Sequence, residues 1–234
     1  MKILLGLLTA FALSSARAGD LADLEFWGFS SDARFVAFEQ HGSQDGSGFP
    51  FSRLTVVDVK RNAFAGYAEK IVKDGSAEDE RASTAQTLAL LLKRVGIKRG
   101  LTGTNVFQKG DIIATKANFT QPLTSADLPK VAKITLDGKA YTLELIERPA
   151  PPMTGDCRAY SLFPAALLEL KLSQGATSRA LQKDILLPNS RKCVYSYGIA
   201  RVYRYRSSVA VFLRTLSPGF EGPNLGWMVV TAKL

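Results

Sequence analysis

The apolar positions of this chain fall in short alternating runs, and the clearest set lies between Phe29 and Val59. That stretch reads strand, turn, strand, long glycine-rich loop, strand. Phe35–Glu39 and Leu54–Val59 are rich in aromatic and β-branched side chains, which suit a pleated, half-buried surface. Ser30-Ser31-Asp32-Ala33 separates Trp27–Phe29 from Phe35, and its short oxygen-bearing side chains can hold nearby backbone N–H groups in a turn. Gly42–Ser52 carries three glycines and one proline over eleven residues. A connection of that length is more often functional than a short one, although Phe49 and Phe51 could equally fold back as a lid over the sheet.

A weaker copy of this pattern closes the chain. Val36-Ala37 and Val56-Val57 match Val209-Ala210 and Val229-Val230, in both cases 173 positions later. The intervening loops also correspond, with Gly48-Phe49-Pro50 in the first and Gly219-Phe220 plus Pro223 in the second. The expectation is a three-stranded meander at each end. FSSDARFVAF followed by LTVVDV also has the look of a propeller blade, though blades come in sets.

One segment carries helical periodicity. Ala82, Ala85, Leu88, Ala89, Leu92 and Val95 recur at steps of three and four, which predicts one long helix over 76–95. Ser76 can cap it, and Glu78, Asp79 and Glu80 sit where the helix dipole favours anions. Lys93 and Arg94 fall in the last turn before Gly96. Val131–Leu136 and Ala140–Ile146 flank Asp137-Gly138, the strongest hairpin signal in the chain. Arg148-Pro149-Ala150-Pro151-Pro152 is a stiff extended connection, and divides a β-rich N-terminal half, 19–148, from a β-rich C-terminal half, 153–234. Tyr160–Leu172 could be strand or helix, and the strict alternation of LELKL at 168–172 favours a strand. The predicted fold class is mainly β, antiparallel meanders with one long α-helix, with α+β or a propeller-like arrangement as alternatives.

Residues 1–18 have the make-up of a secretory signal peptide: Lys2, an apolar run Ile3–Leu13, and Ala16-Arg17-Ala18 as a small-x-small cleavage site. The apolar run falls short of the roughly 20 residues that span a bilayer, so the expected product is periplasmic or secreted. Cleavage removes Lys2 and Arg17 from 30 basic side chains, leaving 28 against 21 acidic, a net charge of +7. A basic exported protein meets anionic partners such as lipid headgroups or cell-wall polymers. The basic residues are scattered apart from Lys130–Lys139 and Arg201–Arg214. Compartment and the lack of a binding motif disfavour nucleic acid. Cys157 and Cys193 should pair in an oxidising compartment, where closing a 37-residue loop is worth roughly 4 kcal/mol. The rival reading, a redox or nucleophilic thiol, lacks a Cys-x-x-Cys spacing.

Chemistry is thinly marked. His41 is the one histidine, so any Ser-His-Asp or Cys-His mechanism must use it. Glu39 and His41 share one face of a strand, but one histidine among scattered carboxylates is a weak metal signal, and no metal or cofactor is expected. Carboxylate dyads leave no local signature, which keeps Glu39 with Glu221 open as a hydrolytic pair. The candidate binding residues are Glu39, His41, Asp45, Phe49, Phe220 and Glu221, gathered on one rim if the end meanders are related. Tyr195, Tyr197, Tyr203 and Tyr205, interleaved with Arg201, Arg204 and Arg206, could form a sugar- or polyanion-binding face or simply a strand with one wet side.

With QDGSGFPFS at 44–52, LPNSRKC at 187–193 and SPGFEGP at 217–223, the chain resembles a bacterial family of predicted secreted proteins of unknown function, from about Trp27 to Val230. The resemblance implies export and a single architecture, and carries no activity or catalytic residue. Two functions follow as expectations: a non-enzymatic periplasmic binding or envelope-associated module with an anionic envelope component or protein as partner, or a hydrolase acting on an envelope polymer.

Overall fold

A computed structural model describes residues 19–44, 46–72, 77–100, 102–109, 128–151, 164–191, 193–219 and 223–234. The first meander consists of β1 (Leu21–Phe29), β2 (Phe35–Ser43), β3 (Pro50–Asp58) and β4 (Ala63–Ile71). Helices α1 (Ala77–Thr87) and α2 (Ala89–Val95) follow, then β5 (Thr104–Gln108), β6 (Val131–Leu136), β7 (Lys139–Pro149), β8 (Ala166–Gln174) and β9 (Thr177–Lys183). A 3-10 turn at Asn189–Arg191 leads into β10 (Ser196–Tyr205), β11 (Ser208–Pro218) and β12 (Pro223–Lys233). Eight strands form one sheet in the order β4-β3-β2-β1-β12-β11-β10-β5, and β6-β7-β8-β9 form a second. Each sheet takes strands from both sides of Pro149–Pro152.

The large sheet is creased where β1 meets β12. Those two strands pair in parallel only at Leu21 and Leu225. Beyond that point the free carbonyls of β1 are served by side chains: Ala22 O accepts from Trp227 Nε1 (2.9 Å) and Arg214 Nη1 (2.6 Å), and Leu24 O from Arg201 Nη1 (3.2 Å). Phe26 of β1 stacks on Tyr203 of β10 at 3.8 Å, and Phe38 of β2 meets Phe212 of β11 edge-on at 5.2 Å. Strands so far apart in the ladder can touch only if the two halves of the sheet lie face to face. The result is four layers: helices, first meander, C-terminal meander, four-stranded sheet. Trp27, Leu54, Val56 and Leu92 fill the first gap, Phe29, Val36, Phe38 and Phe212 the second, and Leu168, Leu170, Val211 and Leu213 the third. Strand β11 is buried on both faces, as its unbroken apolar run Val209–Leu213 requires.

The echo between the chain ends is visible in the backbone. Each meander has a bulge in its first strand, at Trp27 between Phe26 and Gly28 and at Ala200 between Ile199 and Arg201. Each first turn uses a left-handed residue, Ala33 (φ 58°) and Arg206 (φ 53°). Both pairs are 173 apart, the spacing of the valine pairs. Val36 faces the C-terminal meander, and its counterpart Val209 faces the four-stranded sheet. The layers therefore follow one another in the same sense, as propeller blades do, but the ladder at Leu21–Leu225 joins two of them into one open sheet.

The long helix expected over 76–95 is two short ones. Leu88 leaves helical geometry at φ −99°, ψ 7°. Thr84 Oγ1 bonds back to Arg81 O (3.0 Å) and Thr87 Oγ1 to Ser83 O (2.9 Å), a pattern that bends helices. The two pieces also meet different surfaces. In α1, Arg81 and Thr84 reach polar groups on the sheet, whereas Leu91 and Leu92 of α2 pack on apolar ones. Gly66 of β4 admits the second piece, because a Cβ there would lie 2.2 Å from Leu91 Cδ2. The stop at Gly96 is as predicted, with φ 68° and its amide bonded to the Leu92 and Lys93 carbonyls. Ser76 lies outside the described residues. The loop expected over Gly42–Ser52 is also shorter, because β2 runs on to Ser43 and β3 starts at Pro50.

Glu80 of α1 is fully buried, with Oε1 accepting the Val72 amide at 2.5 Å and Oε2 without a partner among the described residues. Burial pushes this carboxyl up, offset only in part by the Val72 N–H. A raised folded-state value means stability that is present below the ordinary carboxylate value, about 4.3, and is lost as pH rises through the folded-state value. Glu80→Gln should therefore melt above wild type at neutral pH, with the gap closing towards acid. Thermal melts of both proteins across that range check this, and a variant that melts lower at pH 7 would disprove it.

Candidate functional site

Glu39 is 1 % exposed, at the centre of the helix–sheet contact. Its cross-strand neighbour is Glu25, an unfavourable pairing of like charges. Arg81 of α1 resolves it, with Nε 2.8 Å from Glu39 Oε1 and a second ion pair from Nη2 to Glu25. Trp27 Nε1 (3.1 Å) and Ser52 Oγ (3.0 Å) donate to the remaining Glu39 positions. Arg99 also pairs with Glu25 and, with Arg81, holds that carboxyl below its ordinary range despite burial. Glu39 is thus spent on joining helix to sheet. His41 shares its sheet face, half-buried beside Asp23 and Ser52. Phe49 is half-buried in the β2–β3 turn, its carbonyl accepting the Gln44 amide at 2.8 Å. Asp45, Phe220, Glu221 and Cys157 lie outside the described residues. Cys193 is not a free thiol. The residue before β1 is tied to the start of β12 by Leu225 N to Asp20 O (2.8 Å) and Asp20 N to Asn224 Oδ1 (2.7 Å).

The two basic segments singled out in the sequence are divided, with Lys130, Arg201 and Arg214 serving interior groups and Lys133, Lys139 and Arg206 exposed. Arg201 and Arg214 cap β1 carbonyls, and Arg204 pairs with Asp137. Tyr203 and Tyr205 pack against Phe26 and Phe29 between the meanders, so this strand offers no tyrosine-lined wet face. Lys130 Nζ bonds to Glu147 Oε1 (2.6 Å), Tyr197 O (2.5 Å) and Ser196 Oγ (3.1 Å). Burial lowers the lysine's pKa, against the pull of Glu147. A serine beside such a lysine is a nucleophile arrangement, but Ser196 is 0 % exposed, and the cluster pins the two sheets together instead.

A second group of cations outside any ion pair lies elsewhere. A recess of about 450 Å³ opens at the far strand ends, lined by Lys60 and Arg61 of the β3–β4 turn, Arg179 and Lys183 of β9, and Lys233 of β12. These are all the charged residues lining it, and among the described residues none forms an ion pair. The frame beneath is rigid. The amides of Lys60 and Arg61 both donate to Asp58 Oδ1 at 3.1 Å. Asn62 Nδ2 donates to Gln182 Oε1 (2.6 Å) and Asn62 Oδ1 accepts the Thr231 amide (2.8 Å), locking turn, β9 and β12 together. Arg179 Nη2 donates to Lys233 O (2.6 Å) and Lys233 Nζ to Ala33 O (3.0 Å). Beyond the Asn62–Gln182 contact runs a larger cleft of about 820 Å³, walled by Phe51, Arg53, Tyr67 and Trp227. Sequence reasoning missed the recess because its five cations come from three separate segments, none of them a basic run.

Fold and recess define a layered β protein with an unpaired cationic surface. Among its described residues no helix is long and apolar enough to cross a membrane. The chain belongs to the family described as "Predicted secreted protein (DUF2259)", whose model matches residues 37–233. This is the family to which the phrases at 44–52, 187–193 and 217–223 point. No curated protein and no solved structure matches the chain.

Proposed function

We propose that this is an exported, non-enzymatic binding module that holds an anionic component of the cell envelope against the recess formed by Lys60, Arg61, Arg179, Lys183 and Lys233. The observation that carries the reading is five cations around one recess with no carboxylate in its lining. Asp32 and Asp58 of the adjoining recess and Glu169 across the ladder from Lys183 offset only part of this charge, and a bound anion relieves the repulsion that is left. Removal of residues 1–18 on export to the periplasm, and a Cys157–Cys193 bond formed there, complete the picture. The hydrolytic alternative is weaker because Glu39, one member of its carboxylate pair, is buried and committed to Arg81.

Titration with short-chain inorganic polyphosphate tests this. Wild type should bind, and binding should weaken as salt shortens the Debye length from about 10 Å at 0.1 M. Joint replacement of Lys60, Arg61 and Lys183 by glutamine should weaken it on the order of tenfold, at up to about 1 kcal/mol per exposed contact. All three side chains are exposed, so the melting temperature should hold. Unchanged affinity in the triple variant would defeat the proposal.

A further inference from the structure

Two residues beyond Lys183 the chain exposes two large aliphatic side chains in succession, Ile185 at 84 % and Leu186 at 75 %. Their neighbours are the reverse: Asp184 is 5 % exposed and Leu187 9 %. The exposure does not come from a slack loop. Asp184 N donates to Leu168 O and Asp184 Oδ2 accepts from Leu168 N, both at 2.9 Å. Arg191 grips the same carboxylate with two bonds of 2.6 Å, and Gln182 Nε2 adds a third at 2.6 Å. On the far side the Asn189–Arg191 turn closes through Arg191 N to Pro188 O at 2.9 Å. The tip is braced at both feet and held in water against the solvation preference of its side chains.

We infer that Ile185 and Leu186 form a membrane-inserting tip, and that the anionic component held by the recess is the headgroup surface of an acidic lipid bilayer. This rests on the reading of the recess as an anion site. The Ile185 Cα lies within roughly 7 Å of that of Lys183, at most about 3.6 Å per residue. The apolar tip therefore adjoins Lys183, one of the five cations that line the recess. A bilayer offers both complements together: headgroup phosphates for Lys60, Arg61, Arg179, Lys183 and Lys233, and the acyl boundary for the two aliphatic side chains. A free polyanion would leave the tip in water, and a neutral apolar groove on a protein would leave the cations unpaired.

The test uses the mature protein, phosphatidylglycerol–phosphatidylcholine vesicles, pure phosphatidylcholine vesicles and polyphosphate. Wild type should float with the acidic vesicles and far less with the neutral ones. Ile185→Ser with Leu186→Ser should cut partitioning on the order of tenfold or more, given the weight of each buried methylene, and leave polyphosphate affinity and melting temperature unchanged. The triple glutamine variant should bind both ligands more weakly, on the order of tenfold for polyphosphate. In a separate Leu186→Trp variant, brominated acyl chains should quench the new tryptophan. Vesicle binding that survives the serine pair, without quenching in the tryptophan variant, overturns the tip and leaves the anion site standing. Equal flotation with neutral vesicles also overturns the inference. Failure to bind both polyphosphate and acidic vesicles removes the anion site and the tip together.

Discussion

Replacing Arg191 by methionine should destabilise the protein by about 3–5 kcal/mol, the usual cost of removing one partner from a buried ion pair. The side chains of Arg191 and Asp184 are 8 % and 1 % exposed, and the guanidinium meets the carboxylate with both nitrogens at 2.6 Å. Methionine fills much of the space but leaves Asp184 charged and short of two donors. Asp184→Asn in the same background should recover part of the loss, because the stranded charge goes with it. Urea unfolding of both variants measures this, and a midpoint equal to wild type for Arg191→Met would refute it. The pair also sets the acid limit. Burial raises the Asp184 carboxyl, but bonds from Arg191, the Leu168 amide and Gln182 outweigh it and hold it below its ordinary range. A depressed folded-state value contributes stability above the unfolded value, about 3.9, that is lost as pH falls through the folded one. Wild type should therefore keep this contribution to lower pH than Arg191→Met does.

Arg81→Ala should cost about 3 kcal/mol or more for the same physical reason. Here the charge left behind is Glu39, and Glu25 directly across the ladder becomes its repulsive neighbour. Arg99 still serves Glu25, so the loss falls mainly on Glu39. Because Arg81 is on α1 and Glu39 on β2, the helix should loosen ahead of the sheet. Hydrogen exchange in Ala77–Thr87 should speed up more than in β11. Arg81→Lys should restore only a fraction, since one ammonium cannot present the planar fork that spans two carboxylates. Retention of wild-type exchange in α1 by Arg81→Ala would show that apolar contacts alone hold the helix down.

Much of the architecture was legible because it rests on local rules. Asp137-Gly138 takes φ 50° and 72° in the β6–β7 turn, as a two-residue hairpin demands. Gly96 ends α2, and the alternation of LELKL becomes β8. The valine pairs 173 apart mark equivalent strands of two bulged meanders. The candidate site was far less legible. A strand pattern states that Glu39 and His41 share a face, but not that Arg81, forty-two positions on, lies over Glu39. Nor could the spacing of tyrosines and arginines in β10 reveal that a second meander covers them.

The alternation of side chains and the turn residues, acting within a few positions, indicated by themselves a chain of antiparallel meanders, the middles of several strands and an echo between the two ends, but not the full extent of β1, β2 and β3, nor β4 and β5. Only the tertiary structure decided how those meanders stack, because the crease at Leu21–Leu225 depends on donors from Arg201, Arg214 and Trp227 reaching β1 across nearly the whole length of the chain. It also decided which charges are spent and which are free. Electrostatic pairing depends on distance in space, and neither a glutamate nor an arginine carries in its neighbours the identity of its partner.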